Sequence, residues 1–313
     1  MQVITDLNLF TKPLHAIVTQ GTFDGVHAGH RQILSNIVAL AKEKGGQSVL
    51  VTFDPHPRQI LFKDENSIRL LTPLYEKIKI FEAIGLDYLI VLPFDETFSK
   101  ITALNFVRDI LVEKIGVNTI VVGHDHRFGQ NREGTFSDLK EFSEIFGFEV
   151  IEIEAHDINE AVVSSTKIRN SLLAGDIHTA NLYLARRYSV EGKVVHGKKL
   201  GSTLGFPTAN IEVSDKAKLI PANGIYAAYA TVLNHTYPAM LSIGHNPTIA
   251  DASWSFEVHI FNFDSNIYGQ TLKVDFEARL RDEVKFDSID DLIIQLKKDE
   301  ILAKSILNVS AFI

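Results

Sequence analysis

The sequence AIVTQGTFDGVHAGH, residues 16–30, indicates the fold of the first half of the chain. It starts with a short apolar run typical of a buried strand and passes through a glycine-containing loop. It then leads into residues 30–44, where apolar side chains recur at the spacing of one helix face. A strand, a tight turn and a helix form the repeating unit of parallel α/β sheets. The amides at the start of such a helix point toward the loop and suit a phosphate group.

The same alternation continues outward from this stretch. Further apolar runs predict strands, and segments with helical spacing of apolar residues separate them. The predicted strands are 48–53, 89–92, 119–122 and 149–153, and the predicted helices are 73–83, 103–115 and 135–146. We therefore predict a doubly wound, Rossmann-like α/β domain, whose ligands lie beyond the carboxyl ends of the strands.

The pattern changes near residue 187. Strand-like segments separated by Gly, Pro and Asn follow, at 188–195, 225–233, 237–243, 253–263 and 271–278. These spacings predict a small antiparallel β-barrel. A C-terminal helix with one apolar face comes last, carrying Ile289, Leu292, Ile293 and Leu296. We predict two domains, 1–186 and 187–313.

Composition excludes several classes of protein. The 313 residues include no cysteine, which rules out disulfides, thiolate metal sites and cysteine nucleophiles. A formal net charge of −8 argues against binding of long nucleic acids, although local loops can still bind nucleotides. Apolar runs fall short of the roughly 20 residues that span a bilayer, and the N-terminus does not read as a secretory signal. We expect a cytoplasmic protein with small-molecule substrates and neither nucleic-acid nor membrane partners.

The loop after the first strand predicts a phosphate site. Gly21, Gly25 and Gly29 allow tight turning and close approach of the backbone to a ligand. His27 and His30 lie three residues apart, so both can face one bound group and donate hydrogen bonds to charge that grows on phosphorus. The alternative is a Gly-rich turn with two ordinary surface histidines. The strand–loop–helix context favours the functional interpretation.

A second phosphate-binding segment follows at SSTKIR, residues 164–169, ahead of an apolar helix. A Ser or Thr of this segment, among Ser164, Ser165 and Thr166, can cap that helix, and Arg169 can bind phosphate. Taken alone, the segment is more often only a cap. Together with the two histidines it predicts the other half of a phosphate clamp.

The stretch GKKLGSTLGFPTAN, residues 197–210, predicts a separate phosphate site. Residues 192–199 nearly match a Walker loop, but they lie in a predicted barrel strand, so we reject that interpretation. Glycines at every fourth position suit a flap whose amides surround phosphates, and Thr208 and Asn210 offer hard oxygens suited to Mg²⁺. The alternative is a plain loop ending in a proline turn.

A carboxylate later in the chain can accept the proton of a phosphoryl acceptor. Glu257 alternates with the apolar residues Phe256 and Val258 and so points away from the apolar face of its strand. A phosphoryl acceptor hydroxyl needs a base or an orienting carboxylate. The alternative is that Glu257 simply faces solvent.

Several long motifs, in this order, resemble the bacterial bifunctional riboflavin kinase/FAD synthetases. They are GTFDGVHAGH (21–30), FDPHP (53–57), VGHDHRFG (122–129), SSTKIR (164–169), GKKLGSTLGFPTAN (197–210) and FEVHIFNF (256–263). The resemblance implies a nucleotidyltransferase fold for the first domain, which would join FMN and ATP into FAD with release of pyrophosphate. It implies that the second domain phosphorylates riboflavin to FMN with ATP. Both reactions join polyanions, so we expect Mg²⁺ to be required for charge neutralisation.

The resemblance also implies roles for single residues in the first domain. His27 and His30 would stabilise the transition state at the α-phosphorus. The implied ATP-binding residues are Gly21, Phe23, Asp24, Gly29, Ser165, Thr166 and Arg169. Asp125, His126 and Phe128 would form a loop beside the nucleotide and flavin, and His126 stands where the family usually has an aromatic residue such as Phe.

For the second domain the resemblance implies Glu257 as the catalytic carboxylate and Thr208 and Asn210 as metal ligands. The implied ATP-binding residues are Gly197, Gly201, Gly205, Pro207, Thr208, Asn210 and Asn246. Arg279 and Arg281 could flank the flavin or could merely pair with Asp282 and Glu283 at the surface. Two other functions stay open at this point: a riboflavin kinase with no second activity, and a flavin-binding regulator without turnover.

Overall fold

A computed structural model describes residues 1–62, 68–123, 126–153, 157–158, 161–197, 200–245, 248 and 254–308. The contacts divide the chain into two compact units, Met1–Ser164 and Ser165–Ile313. Each unit has its own sheet and is described separately.

A six-stranded parallel sheet forms the centre of the first unit, in the order β1-β4-β3-β2-β5-β6. Its strands are β1 (Gln2–Ile4), β2 (Ala16–Gln20), β3 (Gln47–Asp54), β4 (Tyr88–Pro93), β5 (Val117–Gly123) and β6 (Glu149–Ile153). The order reverses between β2 and β5, and a crevice opens beyond the carboxyl ends of strands at such a point. The predicted α/β fold is confirmed; β1, a short edge strand paired with β4, was not predicted.

Helices follow the strands in the expected places. They are α1 (Ala28–Glu43), α2 (Pro57–Leu61), α3 (Leu74–Ile84), α4 (Ala103–Asn105) and α5 (Phe136–Phe146), with a π-helix at Phe106–Ile115. Separate apolar clusters cover the two faces of the sheet, since alternate residues of the buried strands face opposite sides. A short hairpin of β7 (Asp157–Ile158) and β8 (Ala161–Val162) ends the unit.

The second unit is built on a closed antiparallel barrel in the order β10-β13-β12-β11-β14-β9. Its strands are β9 (Ser189–Val195), β10 (Ala209–Val213), β11 (Gly224–Val232), β12 (His235–Gly244), β13 (Ser255–Ile260) and β14 (Thr271–Arg281), and its helices are α6 (Ser165–Leu173), α7 (Ile177–Leu184), α8 (Leu200–Thr203) and α9 (Ile289–Ile306). The predicted barrel and C-terminal helix are confirmed. β10 was missed because its first residues end the motif that we interpreted as a loop.

The helices α6 and α7 pack within the barrel unit. The side chain of Asn181 donates to the carbonyl of Phe276 (2.9 Å) and accepts from the amide of Tyr188 (2.7 Å), which ties α7 to β14. The contacts therefore divide the chain after Ser164. The boundary predicted from sequence, 186/187, marks the start of the barrel strands and stays a prediction for the limits of the functional domains.

Candidate active sites

The loop between β2 and α1 is held in an unusual backbone conformation. Phe23 and Val26 have φ angles of 46° and 40°, in the left-handed region that side chains with a Cβ rarely occupy. Such strain collects at binding and catalytic sites, where the surrounding structure maintains it. Asp24 supplies part of that support, because its buried carboxylate accepts hydrogen bonds from the amides of Leu71 (3.2 Å) and Thr72 (3.0 Å).

The two histidines of this loop form one unit at the start of α1. Nδ1 of His27 accepts a hydrogen bond from the amide of His30 (3.3 Å), so His27 caps the helix. The two rings stack with centroids 3.6 Å apart and an angle of 15° between their planes. Since Nδ1 of His27 is an acceptor, its ring proton is on Nε2. The two imidazoles thus lie side by side at the start of α1, and their contact with one bound group stays a prediction.

His30 is kept neutral. Burial, the neighbouring His27 ring and the ammonium of Lys77 together hold its pKa well below the ordinary value of 6.5. Phe23 covers the ring from another side, with centroids 4.9 Å apart. Among the described residues, none makes a hydrogen bond with Nδ1 of His30, although that atom is buried. A neutral ring with an unpartnered nitrogen is ready for a ligand atom.

Lys77 is a residue of this site that the sequence interpretation missed. It lies in α3, is 4% exposed, and donates from Nζ to the carbonyl of Thr22 (2.6 Å). A charged side chain is rarely buried unless something local requires it. The available signal was a Lys among the apolar residues of a helix that follows the second strand.

The other predicted residues of the first unit occupy different environments. Phe23 and Asp24 are 4% and 2% exposed and hold the loop from inside, so contact of their side chains with ATP stays a prediction. Gly21 lies against the ring of Phe23, and Gly29 lies beside the ring of His27.

The loop after β5 brings one predicted residue to the crevice. His126 lies 2.8 Å from the side chain of Gln20 at the end of β2, and its ring stacks on Phe128 with centroids 5.9 Å apart. Phe128 is 5% exposed and packs in the core, where it supports His126. Asp125, also predicted for this loop, lies outside the described residues.

Ser165, Thr166 and Arg169 lie on the first turns of α6, as expected for a helix start. Thr166 is exposed and Arg169 is half-buried. Because α6 belongs to the second compact unit, the clamp formed with His27 and His30 stays a prediction.

In the barrel, the predicted carboxylate meets the predicted metal ligand. The hydroxyl of Thr208 donates to Oε2 of Glu257 (2.9 Å), and the hydroxyl of Ser255 donates to Oε1 (3.1 Å). β10 pairs with β13 so that Asn210 stands opposite Glu257. Glu257 is half-buried between the buried residues Phe256 and Val258, so it points away from the apolar face of β13 as predicted.

Two of the predicted glycines have clear physical reasons. A Cβ added to Gly197 would lie 2.0 Å from Nδ2 of Asn210, so only glycine lets that side chain lie against the backbone. Gly205 has a φ of 83°, which favours glycine. The predicted flap is partly helical, since α8 spans Leu200–Thr203 and includes Gly201.

The sequence interpretation also missed His259. Two residues beyond Glu257 on the same face of β13, its Nδ1 donates to the carbonyl of Pro207 (2.8 Å). This bond fixes the residue that precedes Thr208. The alternation of Glu257 and His259 with apolar residues was the signal that could have found it.

A cavity of about 380 Å³ opens beside Thr208. Its walls combine aliphatic and aromatic side chains with a few polar groups, the usual lining of a small-molecule site. The lining residues are Val194, Pro207, Thr208, Ala209, Val258, Ile260, Phe263, Asp264, Ser265, Asn266, Ile267 and Tyr268.

The two arginines at the end of β14 differ in their partners. Arg279 pairs with Asp282 (2.7 Å), which is one of the alternatives left open by the sequence. Arg281 binds the carboxylate of Asp299 through Nε and through Nη2 (2.6 Å), and Asp299 is 2% exposed. Arg281 thus anchors α9 to the barrel, and its contact with a flavin stays a prediction. Asn246 lies outside the described residues.

Within the described part of the chain, no group of three or more His, Asp or Glu side chains could hold a metal ion. A Mg²⁺ bound to nucleotide needs only one or two protein oxygens, because phosphates and waters complete its shell. Thr208 uses its proton for Glu257 and keeps its oxygen lone pairs, so the Thr208 and Asn210 pair fits such an ion. No helix among the described residues is both long and apolar enough to span a membrane.

Two family models match consecutive parts of the chain. The model for FAD synthetase matches residues 10–167, and the model for riboflavin kinase matches residues 184–307. These ranges contain, in order, the histidine loop and the Thr208–Glu257 site.

Similar proteins match over nearly the full length. A bifunctional riboflavin kinase/FMN adenylyltransferase of Haemophilus influenzae is 36% identical over 98% of this chain and 100% of its own. A protein of the same description from Listeria monocytogenes is 36% identical, covering 92% of this chain and 91% of its own. A solved structure, described as a macrolide-efflux protein from Streptococcus pneumoniae, is 32% identical, with a TM-score of 0.87, covering 97% of this chain and 98% of its own.

Proposed function

Because the chain belongs to the family of bifunctional riboflavin kinase/FMN adenylyltransferases, we propose that its two reactions take place at the two sites described above. The protein phosphorylates riboflavin to FMN and adenylylates FMN to FAD. We assign the kinase reaction to the barrel site around Glu257 and the adenylylation to the loop of His27 and His30. The contact between Thr208 and Glu257 is the single observation that carries the assignment of the kinase site.

In the kinase reaction, the 5′-hydroxyl of riboflavin attacks the γ-phosphorus of ATP, and ADP leaves. Glu257 accepts or orients the hydroxyl proton, and the hydrogen bonds from Thr208 and Ser255 fix its carboxylate. Mg²⁺ held by Thr208 and Asn210 would neutralise charge on the phosphates. We propose that the backbone amides of Gly201 and Gly205 lie around them.

The cavity beside Thr208 is the place that we propose for the adenine ring of this ATP. Its volume of about 380 Å³ lies within the range of known ligand sites, which is about 300–1,000 Å³. Apolar walls cover the faces of a flat ring, and the side chains of Ser265 and Asn266 can hydrogen-bond its edge. Thr208 is part of the same wall and bonds to Glu257, which supports our proposal that the phosphates of the nucleotide lie next to Glu257.

In the adenylylation, a phosphate oxygen of FMN attacks the α-phosphorus of ATP and pyrophosphate leaves, so no protein nucleophile is needed. Charge that develops on the α-phosphate is stabilised by the N–H groups of His27 and His30 and by the positive end of α1. The stacked arrangement of the two rings supports this role. Ser165, Thr166 and Arg169 are proposed to hold the outer phosphates.

Free riboflavin, FMN and ATP are the proposed substrates, and the cytoplasm, where ATP is available, is the proposed compartment. The chain has a net charge of −8, so we propose no nucleic-acid partner. The streptococcal protein of similar structure is named for macrolide efflux, whereas the sites described above have the residues expected for phosphoryl and nucleotidyl transfer.

Chromatography of the flavins tests both assignments. Purified protein with riboflavin, ATP and Mg²⁺ is expected to yield FAD. The His30→Ala variant is expected to stop at FMN, and FAD formation at the normal rate by this variant would overturn the first assignment. FMN alone from the unmodified protein would indicate a single-activity kinase, and unchanged riboflavin would indicate a binding protein without turnover.

A further inference from the structure

The carboxyl end of β2 holds a buried amide that neither reaction, as described above, uses. Gln20 is the last residue of β2 and is 6% exposed. Ala16 and Val18 precede it on the same face of the strand and belong to the apolar core. Burying the amide of Gln20 on this face lowers the stability of the folded state unless both of its polar atoms are hydrogen-bonded.

Only half of this amide is satisfied. Nε2 of Gln20 lies 2.8 Å from Nε2 of His126. An amide nitrogen only donates, so the imidazole nitrogen accepts, and the ring proton of His126 is on Nδ1. Oε1 of Gln20 is buried as well, and the part of the chain that the structure describes offers it no hydrogen-bond partner.

The position of the pair is that of a ligand site. β2 and β5 are neighbours at the point where the strand order reverses, and ligands of such sheets bind beyond the carboxyl ends of the strands there. Gln20 ends β2, and His126 follows the end of β5 by three residues. Their hydrogen bond therefore joins the two sides of this crevice, and the loop that leads to His27 begins at the next residue, Gly21.

His126 is itself held in place. Its ring stacks on Phe128 with 24° between the planes. Phe128 is fixed by two backbone hydrogen bonds with Gly134, of 3.2 and 2.9 Å. The acceptor nitrogen that orients the amide of Gln20 thus belongs to a supported side chain, as precise recognition requires.

We propose that Oε1 of Gln20 accepts a hydrogen bond from an N–H group at the edge of a planar ring of a substrate and selects for that group, with His126 holding the amide in the required orientation. This inference rests on the assignment of adenylylation to this site. Both substrates of that reaction have such a group: the amino group of adenine in ATP and the imide N–H of the flavin ring in FMN. The shared chemistry is an N–H donor at the edge of a planar ring.

The test compares two pairs of substrates in the conversion of FMN to FAD. One pair is ATP and purine riboside triphosphate, which lacks the amino group; the other is FMN and its N3-methyl derivative. We expect the unmodified protein to prefer the N–H member of one pair by about tenfold or more in kcat/KM. The Gln20→Met variant keeps the length of the side chain without its amide, and in it that preference is expected to fall close to one. The pair that responds identifies the ring that Gln20 contacts.

Two matched variants complete the design. Thr52→Val, on the adjacent strand β3, removes a different buried oxygen that has no partner among the described residues, the hydroxyl of Thr52. This variant is expected to leave both preferences unchanged. His126→Phe keeps an aromatic ring but removes the acceptor, and is expected to weaken the preference only in part. The rate of FMN formation from riboflavin, measured on each variant, reports on the integrity of the preparation.

The possible failures are distinct. If the unmodified protein makes no FAD from FMN and ATP, the proposed adenylylation itself is wrong. If it makes FAD and Gln20→Met retains the full preference in both pairs, the assignment of Gln20 is wrong. A preference near one for both pairs in the unmodified protein would also overturn it.

Discussion

The hydroxyl of Thr208 donates a 2.9 Å hydrogen bond to Oε2 of Glu257, across 49 residues of sequence. This contact links the residue proposed to bind the metal and phosphates to the residue proposed to handle the substrate proton. The register of β10 and β13 fixes it, because Ala209 pairs with Val258 and Asn210 with Glu257. The proposed kinase site therefore depends on the pairing of β10 with β13. The predictions for this site can be tested separately from those for the first unit.

Replacing Glu257 by Gln keeps the shape and an acceptor oxygen but removes the negative charge. We expect kcat for FMN formation to fall by about 10²–10⁴, the usual contribution of general base catalysis. Conversion of supplied FMN to FAD should continue at the normal rate. Steady-state rates of both reactions on the same preparation check this, and unchanged FMN formation would remove Glu257 from the catalytic role.

Gly197→Ala tests the close contact between the flap and Asn210. The new methyl group would lie 2.0 Å from Nδ2 of Asn210, so that side chain must move. If Asn210 binds metal and nucleotide, the KM for ATP in FMN formation should rise by about tenfold or more. Ser202→Ala, in the same flap, provides the matched control and should change this KM little.

The lowered pKa of His30 has a consequence for stability. In the unfolded chain this group titrates near 6.5, whereas in the folded protein it stays neutral to lower pH. Below about pH 6.5 the unfolded state therefore binds more protons, and acidification destabilises the fold by up to about 1.4 kcal/mol per pH unit until the folded pKa is reached.

His30→Gln should remove this dependence, whereas His15→Gln, at an exposed histidine of the same unit, should retain it. Hydrogen exchange of the β2 and β3 amides between pH 7.5 and 5 measures the stability of this unit. Parallel pH profiles for His30→Gln and the unmodified protein would contradict a neutral His30.

Lys77→Met removes a buried charge next to the histidine loop. Loss of the hydrogen bond to the carbonyl of Thr22 loosens the loop, and loss of the charge raises the pKa of His30. We expect kcat for FAD formation to fall by about tenfold and the acidic limb of its pH profile to move to higher pH. A purely structural role for Lys77 would lower the rate without moving that limb. Lys79→Met, at an exposed position of the same helix, is the control.

The ion pair of Arg281 and Asp299 should dominate the attachment of α9. Arg281→Met leaves the buried carboxylate of Asp299 without its charged partner and should lower the unfolding free energy of the barrel unit by about 3–5 kcal/mol. The double variant Arg281→Met/Asp299→Leu should recover most of the loss. Urea unfolding followed by fluorescence of Trp254, the single tryptophan of the chain, gives the measurement. A loss of riboflavin binding in a stable Arg281→Met protein would instead support a flavin contact.

Much of the fold could be predicted because its signals are local. The alternation of buried strands with amphipathic helices is present in the sequence, and so are the short strands of the barrel. β10 escaped prediction because Pro207 and the preceding glycines indicate a turn, while its pairing with β9 and β13 is a long-range property. We predicted a regular helix over 103–115, whereas the structure has a π-helix at Phe106–Ile115. Over a stretch this short, the two kinds of helix have the same apolar spacing.

For single residues, too, features that depend on local spacing could be predicted, whereas contacts between distant parts of the chain could not. The α/β and barrel architecture, the spacing of His27 and His30 three residues apart, and the order of the motifs could be predicted from the sequence, since all of these depend on spacing along the chain. The folded structure was needed to identify the side-chain partners: Thr208 with Glu257, Arg281 with Asp299, Lys77 with the carbonyl of Thr22, and Gln20 with His126, 106 residues away. Hydrogen bonds and burial depend on distances in space, and strand register and chain closure set those distances.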